Sequence, residues 1–133
     1  MGIFDFLKTS KDISIVDLDG GTGRSETYYD NGKGPLMCHK YLIGFKLHGK
    51  EQFFYRNGQI KSDWNWKDNK KEGIHRHYYK NGQVMLEQPW ENGEVHGLSK
   101  FYHENGQLSR EENYENGKMK SKKCWDKKEK EIE

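Results

Sequence analysis

Asn-Gly pairs recur along the chain at a nearly constant spacing. One series consists of Asn31-Gly32, Asn57-Gly58, Asn81-Gly82 and Asn105-Gly106, whose glycines lie 26, 24 and 24 residues apart. A second series lies between them, at Asn92-Gly93 and Asn116-Gly117, and Asn69 occupies the same place one period earlier. Self-similarity at a period of about 20 to 50 residues indicates a repeat architecture, so this spacing restricts the fold more than any other feature.

Other positions keep the same period. They are Phe54, Tyr78 and Tyr102; Ile60, Val84 and Leu108; Trp66, Trp90 and Tyr114; and Gly49, Gly73 and Gly97. Three clear units cover residues 46–117, and Tyr28-Tyr29-Asp30-Asn31-Gly32 marks a degenerate first unit.

Each unit predicts two strands and two turns, because Asn-Gly between apolar residues is the strongest short hairpin signal. The composition agrees: the chain has no alanine, 15 glycines and 14% aromatic residues, which disfavours a helical bundle. The predicted fold class is all-β, an elongated antiparallel β-meander in a single sheet, built from repeated hairpins of about 24 residues.

The spacing of the turns also predicts a register. If both turns of a unit are three-residue loops, Lys80-Asn81-Gly82 and Glu91-Asn92-Gly93, then Gln83 and Trp90 close them and Tyr78 lies opposite Val84. This register places on one face Phe54, Ile60, Trp64, Trp66, Ile74, Tyr78, Val84, Leu86, Trp90, Leu98, Tyr102, Leu108 and Tyr114. The other face then holds the three glycines of the period, His75, His77, Glu87, Ser99, His103, Ser109 and Glu111, with Phe53, Tyr55, Tyr79 and Phe101 among them.

The chain divides into a non-repeat lead at residues 1–20, a repeat domain at 21–117 and a charged tail at 118–133. With 23 basic and 21 acidic residues the net charge is +2, which disfavours a nucleic-acid binder. The lysines that concentrate after residue 117 are predicted to be a solvated tail. Cys38 and Cys124 are expected to be reduced thiols in a cytoplasmic protein, and no apolar run is long enough to cross a membrane.

The repeated sequence resembles the MORN-repeat variant family. The residues that carry the resemblance are Gly73-Ile-His-Arg-His-Tyr-Tyr-Lys-Asn-Gly-Gln-Val84, Gly97-Leu-Ser-Lys-Phe-Tyr-His-Glu-Asn-Gly-Gln-Leu108 and Tyr114-Glu-Asn-Gly-Lys118. More narrowly, the chain is similar to the bacterial YwqK-type antitoxin group, which implies a protein that binds and neutralises a toxin. The family motif describes no catalytic residues, so the resemblance implies none here.

The histidines offer one alternative chemistry. His75 and His77 are two apart on a predicted strand and share a face, with His103 in the next unit and Glu87 and Glu111 nearby in the predicted register. A zinc site needs three or four ligands in fixed geometry, and we predict ordinary surface histidines with no metal, no cofactor and no enzymatic activity.

Exposed rings surrounded by charges are typical of protein interfaces. The predicted partner surface consists of Phe53, Tyr55, His75, His77, Tyr79, Phe101 and His103. The predicted function is a non-catalytic module that binds a protein partner, in the form of an antitoxin or immunity protein. The alternative is a structural or scaffolding repeat that self-associates or contacts membrane lipids, for which the lysine-rich end is the motivation.

Overall fold

The structure is a computed structural model that describes residues 13–19, 22–128 and 130–132. These residues form one antiparallel sheet of 13 strands and one helical turn, which confirms the predicted all-β meander. The first half contains β1 (Ile13–Asp19), β2 (Thr22–Tyr28), α1 (Tyr29–Gly32), β3 (Leu36–Ile43), β4 (Lys46–Phe54), β5 (Ile60–Lys67) and β6 (Lys70–Lys71). The second half contains β7 (Gly73–Tyr78), β8 (Val84–Glu91), β9 (Glu94–Val95), β10 (Gly97–Tyr102), β11 (Leu108–Glu115), β12 (Lys118–Trp125) and β13 (Glu131–Ile132).

The sheet extends past both ends of the predicted repeat domain. Strand β1 lies inside the predicted lead and pairs with β2, the first strand of the predicted repeat domain. Residues 1–12 and Gly20-Gly21 lie outside the described residues. At the other end, β12 pairs with β11 along its length, so residues 118–125 are a strand where a solvated tail was expected. Lysine suits such a place, because charged side chains near the edge of a sheet discourage pairing with another chain.

The turns at Asn57-Gly58, Asn81-Gly82 and Asn105-Gly106 follow the prediction, whereas Asn31-Gly32 lies in the helical turn α1. The amide of Tyr79 donates to the carbonyl of Gln83 at 2.8 Å, and Gly82 between them has a φ of +87°. Tyr78 lies opposite Val84, as the three-residue loop requires. The register then shifts by one residue, because His77 lies opposite Leu86 and leaves Met85 as an extra residue in β8. Such a bulge accompanies this type of hairpin loop.

Turns of the second series are shorter than predicted. Glu91 lies opposite Glu94, and the two residues between them have φ values of +51° at Asn92 and +83° at Gly93. This is a two-residue type I′ turn, whose twist matches that of paired strands and whose positive φ values suit Asn-Gly. The prediction of a three-residue loop closed by Trp90 is therefore wrong.

These two features together change the predicted faces. Paired residues share a face, and the bulge after each first-series turn moves the rest of the following strand to the other side of the sheet. The face predicted to hold most of the large apolar residues is therefore divided. Trp64, Trp66, Leu86, Trp90 and Tyr114 lie on the side of His75 and His77, while Phe54, Ile60, Ile74, Tyr78, Val84, Leu98, Tyr102 and Leu108 lie on the other. We call the side that carries Trp64, Trp66 and Trp90 the tryptophan face, and the other side the opposite face.

The period-24 glycines mark where a unit passes from its second turn into a long strand. Gly73 lies opposite Trp90 and has a φ of +80°, and Gly97 lies opposite Tyr114 with a φ of +108°. Side chains rarely accept these conformations, which explains the glycines at these positions.

Burial in this single-layer sheet is modest and runs mainly under the rings of the tryptophan face. The side chains of that face with least exposure are Ser25, Cys38, Ser62, His75, Ser99 and Glu112. Small and polar side chains fill this thin interior, so the fold needs few of the aliphatic residues that a globular core would require.

The opposite face carries a row of alternating charges. Asp63, Arg76, Glu87, Lys100, Glu111 and Lys123 lie opposite one another in successive strands. Arg76 Nε is 2.9 Å from Glu87 Oε2, the tightest ion pair of the row. Cross-strand pairs of opposite charge stabilise a sheet by about 0.2–1 kcal/mol each. A slip of one strand would separate these pairs, so the row also favours the observed register.

Candidate functional site

A groove on the tryptophan face is lined by rings together with charged and polar side chains. It measures about 420 Å³ and lies over strands β4 to β7. Its lining residues are Glu51, Phe53, Lys61, Ser62, Trp64, Trp66, Lys71 and His77. Phe53 lies opposite Ser62, which lies opposite His77, so three neighbouring strands form the floor.

His75 lies beneath the rings at the centre of this region. Its side chain is 1% exposed, and its ring centroid lies 4.4 Å from that of Trp64 and 5.4 Å from that of Trp90, stacked on the latter. The Nε2 atom is 3.1 Å from the main-chain oxygen of Asn65. Since a carbonyl oxygen only accepts, Nε2 carries the proton and donates. His75 therefore acts as a packed, neutral ring.

Burial shifts the titration of both histidines of this face. It lowers the pKa of His75 to about 4, and the charge of Lys71 acts in the same direction. The pKa of His77 is also lowered, first by burial and then by Lys71 and Lys61. Both imidazoles are therefore neutral near pH 7.

The metal alternative does not match the geometry. Glu87 and Glu111 lie on the opposite face, in the charge row, because the bulges shift them away from His75 and His77. The ring of Trp64 lies edge-on to both histidines, at 4.4 and 5.2 Å between centroids. Among residues 13–19, 22–128 and 130–132, no three His, Cys, Asp or Glu side chains are grouped as metal ligands would be.

Four members of the predicted partner surface share the tryptophan face. Phe53, His77 and Phe101 lie in one row across the sheet, and His75 lies in the next row. Arg110 approaches the ring of Phe101, with 3.9 Å between Cζ and the ring centroid. The sequence therefore grouped these four residues on the same face, although it placed the tryptophans on the other one.

Tyr55, Tyr79 and His103 have contacts of a different kind. The hydroxyl of Tyr55 donates to the carbonyl oxygen of Tyr78, and that of Tyr79 to the carbonyl oxygen of Tyr102, both at 2.7 Å. His103 Nε2 lies 3.1 Å from the carbonyl oxygen of Trp125. Each of these side chains connects the end of one hairpin to the next.

Lys71 is a residue of the groove that the sequence analysis did not identify. Its Nζ lies 3.8 Å from the ring centroid of Trp64 and 4.3 Å from that of Trp90. The same position in the other units holds Leu47, Val95 and Met119. A signal was therefore present in the sequence, because a lysine at an otherwise apolar position of a repeat marks a local departure from the common structure.

Two further residues of the site depart from the repeat in the same way. Trp64 corresponds to Gln88 and Glu112, and His75 corresponds to Glu51 and Ser99. The site thus combines Trp66 and Trp90, which keep the period, with Trp64, Lys71 and His75, which break it.

Comparison with known proteins agrees with the repeat. The family model described as MORN repeat variant matches residues 47–68, 71–92, 95–116 and 109–127, which together make up more than half of the chain. A search of curated proteins finds no match. In the part of the chain that the structure describes, no helix combines the length and the apolar character needed to cross a membrane.

Proposed function

The chain belongs to the MORN repeat variant family, and on that basis we propose that it is a non-catalytic module that binds a protein partner through the tryptophan face. The observation that carries the proposal is the open groove of about 420 Å³, lined by Phe53, Trp64 and Trp66 together with charged side chains. Aromatic anchors in a concave site with a polar rim are typical of protein interfaces.

The two faces differ in a way that favours this side of the sheet. On the opposite face, charged side chains of opposite sign lie next to one another across the strands, as in the ion pair of Arg76 and Glu87. On the tryptophan face, half-buried rings and the lysines 61 and 71 border an open concavity. Rings that are already ordered lose little conformational entropy on binding, which favours them as anchors.

The more specific form of the proposal is an antitoxin or immunity protein, as the resemblance to the YwqK-type group implies. Cys38 and Cys124 are free, which fits a reducing compartment, and the proposal accordingly includes a cytoplasmic location.

The test is affinity capture with matched variants. The full chain, a tryptophan-face variant (Phe53→Ser with Trp66→Ser) and an opposite-face variant (Ile74→Ser with Leu98→Ser) are each used to capture proteins from cells of the source organism. Ile74 and Leu98 are exposed apolar side chains, 46% and 44% accessible, and serve as the control. We expect one protein to bind the full chain and the opposite-face variant but not the tryptophan-face variant, and to rebind when purified.

Equal retention by all three forms, or no retained protein, would contradict the proposal. The antitoxin form requires in addition that the captured protein stops growth when expressed alone and that co-expression of this chain restores growth. The scaffolding alternative predicts instead that the chain floats with anionic liposomes, and that truncation before residue 118 abolishes flotation.

A further inference from the structure

The ammonium group of Lys71 lies between aromatic rings. Its Nζ is 3.8 Å from the centroid of Trp64, 4.3 Å from that of Trp90 and 5.9 Å from that of Trp66. A cation within about 6 Å of a ring centroid is attracted by the negative face of the ring, most strongly for tryptophan. We call these three rings the tryptophan cage.

The cage is held in shape by the sheet and by hydrogen bonds. Trp64 and Trp66 lie on β5 and Trp90 lies on β8, with His75 of β7 packed between them. The indole nitrogen of Trp66 donates to Glu51 Oε2 at 2.8 Å, and that of Trp90 donates to Gln88 Oε1 at 3.1 Å. The rings therefore need no rearrangement to receive a cation, which removes a large part of the usual cost of binding.

Lys71 enters the cage with its side chain alone. The main chain of Lys71 is fixed, because Lys71 pairs with Trp66 and its carbonyl oxygen accepts from the amide of Gly93 at 2.9 Å. Only its flexible side chain enters the cage, so it can leave without any change to the sheet. Partial burial lowers the pKa of Lys71, and the charge of Glu51 opposes this shift. Burial of the ammonium therefore carries a desolvation cost that a methylated ammonium, being less strongly hydrated, reduces.

We propose that the tryptophan cage is a binding site for an alkylammonium group and that Lys71 occupies it until the cation of a ligand takes its place. The inference rests on the proposed function only for the source of that cation, which we assign to a lysine side chain of the protein partner, methylated or unmethylated. The position of Lys71, where the other units carry Leu47, Val95 and Met119, shows that the repeat itself does not require a charge there.

The first experiment measures binding of the cation alone. Tetramethylammonium chloride is titrated into the full chain against sodium chloride at equal ionic strength, and tryptophan fluorescence and the indole N–H signals are followed by spectroscopy. We expect Lys71→Ala to bind the probe about tenfold more tightly than the unmodified chain, because the competing ammonium is gone. Lys71→Gln should also bind the probe more tightly than the unmodified chain, and it serves as a second variant if the alanine variant folds poorly.

Two further variants make the result specific. Lys80→Ala removes a lysine that does not line the groove and whose Nζ lies 6.0 Å from the ring of Tyr55, and it should leave the affinity unchanged. Adding Trp90→Leu to Lys71→Ala should abolish binding. No binding by either Lys71 variant would overturn the inference, and so would equal affinity of the unmodified chain and both Lys71 variants.

The second experiment distinguishes the sources of the cation. Peptides with trimethyllysine, lysine or the neutral norleucine at one position are compared with free choline as ligands of Lys71→Ala. We expect a lysine-containing or trimethyllysine-containing peptide to bind more tightly than choline, and the norleucine peptide not to bind. Choline binding as tightly as the peptides would overturn the assignment to a protein side chain. Cation binding without any captured protein would remove the proposed function and leave the cage. Capture unaffected by Trp90→Leu would leave the proposed function and overturn the assignment of the cation to the protein partner.

Discussion

The hydroxyl of Tyr79 donates a hydrogen bond of 2.7 Å to the main-chain carbonyl oxygen of Tyr102. The same contact recurs one unit earlier, from Tyr55 to the carbonyl of Tyr78, and again from Tyr29 to the carbonyl of Phe54 at 2.8 Å. Four successive hairpins are thus connected by side chains in addition to their strand pairing. In a repeat protein each unit contacts only its neighbours, so such contacts contribute directly to the stability of the interface between units.

Removing one of these hydroxyls should weaken the array by a measurable amount. We expect Tyr79→Phe to lower the free energy of unfolding by about 1 kcal/mol, the usual net contribution of one hydrogen bond, since the ring remains and only the bond is lost. Urea unfolding followed by circular dichroism measures the change. Tyr41→Phe, at an exposed ring, is the control and should change the stability little. Equal effects of the two substitutions would show that the hydroxyl of Tyr79 does not connect the units.

The conformation of Gly73 predicts a second effect on stability. Its φ is +80°, and an added Cβ would meet only Asn65 side-chain atoms at 3.9 Å and beyond. The cost of Gly73→Ala should therefore come from the backbone and amount to about 1–2 kcal/mol. Because asparagine tolerates left-handed conformations better, Gly73→Asn should cost less than Gly73→Ala in the same unfolding measurement. An equal cost would mean that the backbone at Gly73 is not strained by a side chain.

The charge row predicts the effect of a reversal at Glu87. This carboxylate lies between Arg76 and Lys100 and also accepts a hydrogen bond from the hydroxyl of Tyr102 at 3.1 Å. Glu87→Lys would place three cations side by side, and we expect a loss of about 1–2 kcal/mol that shrinks in 0.5 M salt. Glu91→Lys is the matched control, because Glu91 lies opposite another acid, Glu94, and its reversal should be neutral or slightly stabilising. Equal effects of the two reversals would argue against the pairing.

The depressed pKa of His75 predicts instability in mild acid. The unfolded chain binds a proton near the ordinary histidine pKa of 6.5, whereas the folded chain does so only near pH 4, because burial opposes the charge. Stability should therefore be unaffected above pH 6.5 and fall by on the order of 2–3 kcal/mol as the pH drops from 6.5 to 4. Burial also lowers the pKa values of His77 and His39, so protonation of these two residues makes the stability fall further as the pH drops.

His75→Ser tests whether His75 causes this acid sensitivity. Serine should be tolerated there, because Ser99 fills the same position one unit later and is fully buried. Chemical unfolding at several pH values between 4 and 7 should give a shallower slope for this variant, whatever its stability at pH 7. An unchanged slope would show that other groups cause the acid sensitivity.

The two cysteines should differ in reactivity. Cys38 is buried, and burial together with the charge of Glu51 raises its pKa to about 11, so almost none of it is thiolate at neutral pH. Cys124 is only partly buried. Iodoacetamide should therefore label Cys124 in the folded chain and label Cys38 only after unfolding, as measured by peptide mass spectrometry. Similar labelling rates for both thiols in the folded chain would place Cys38 at the surface.

The sequence was sufficient for the repeat, the meander and the pairing next to the turns at Asn57-Gly58, Asn81-Gly82 and Asn105-Gly106, because Asn-Gly and the period of 24 residues report local geometry. It was not sufficient for the faces of Trp64 and Trp90. Asn-Gly serves both three-residue and two-residue loops, and an extra residue such as Met85 reverses the alternation without leaving a signature in the residue types. The tyrosine contacts between units were also missed, since strand periodicity places Tyr79 on a face but does not indicate that its hydroxyl reaches the next hairpin.

The bulges bring Trp64, Trp90, Lys71 and His75 together on one face of the sheet. Nuclear Overhauser contacts in the folded chain test this placement. We predict contacts from the imidazole of His75 to both indoles, and side-chain methylene protons of Lys71 shifted upfield by the rings. Contacts from the indole of Trp90 to Tyr78 and Val84, with unshifted Lys71 protons, would place the tryptophans on the opposite face and show that this arrangement is wrong.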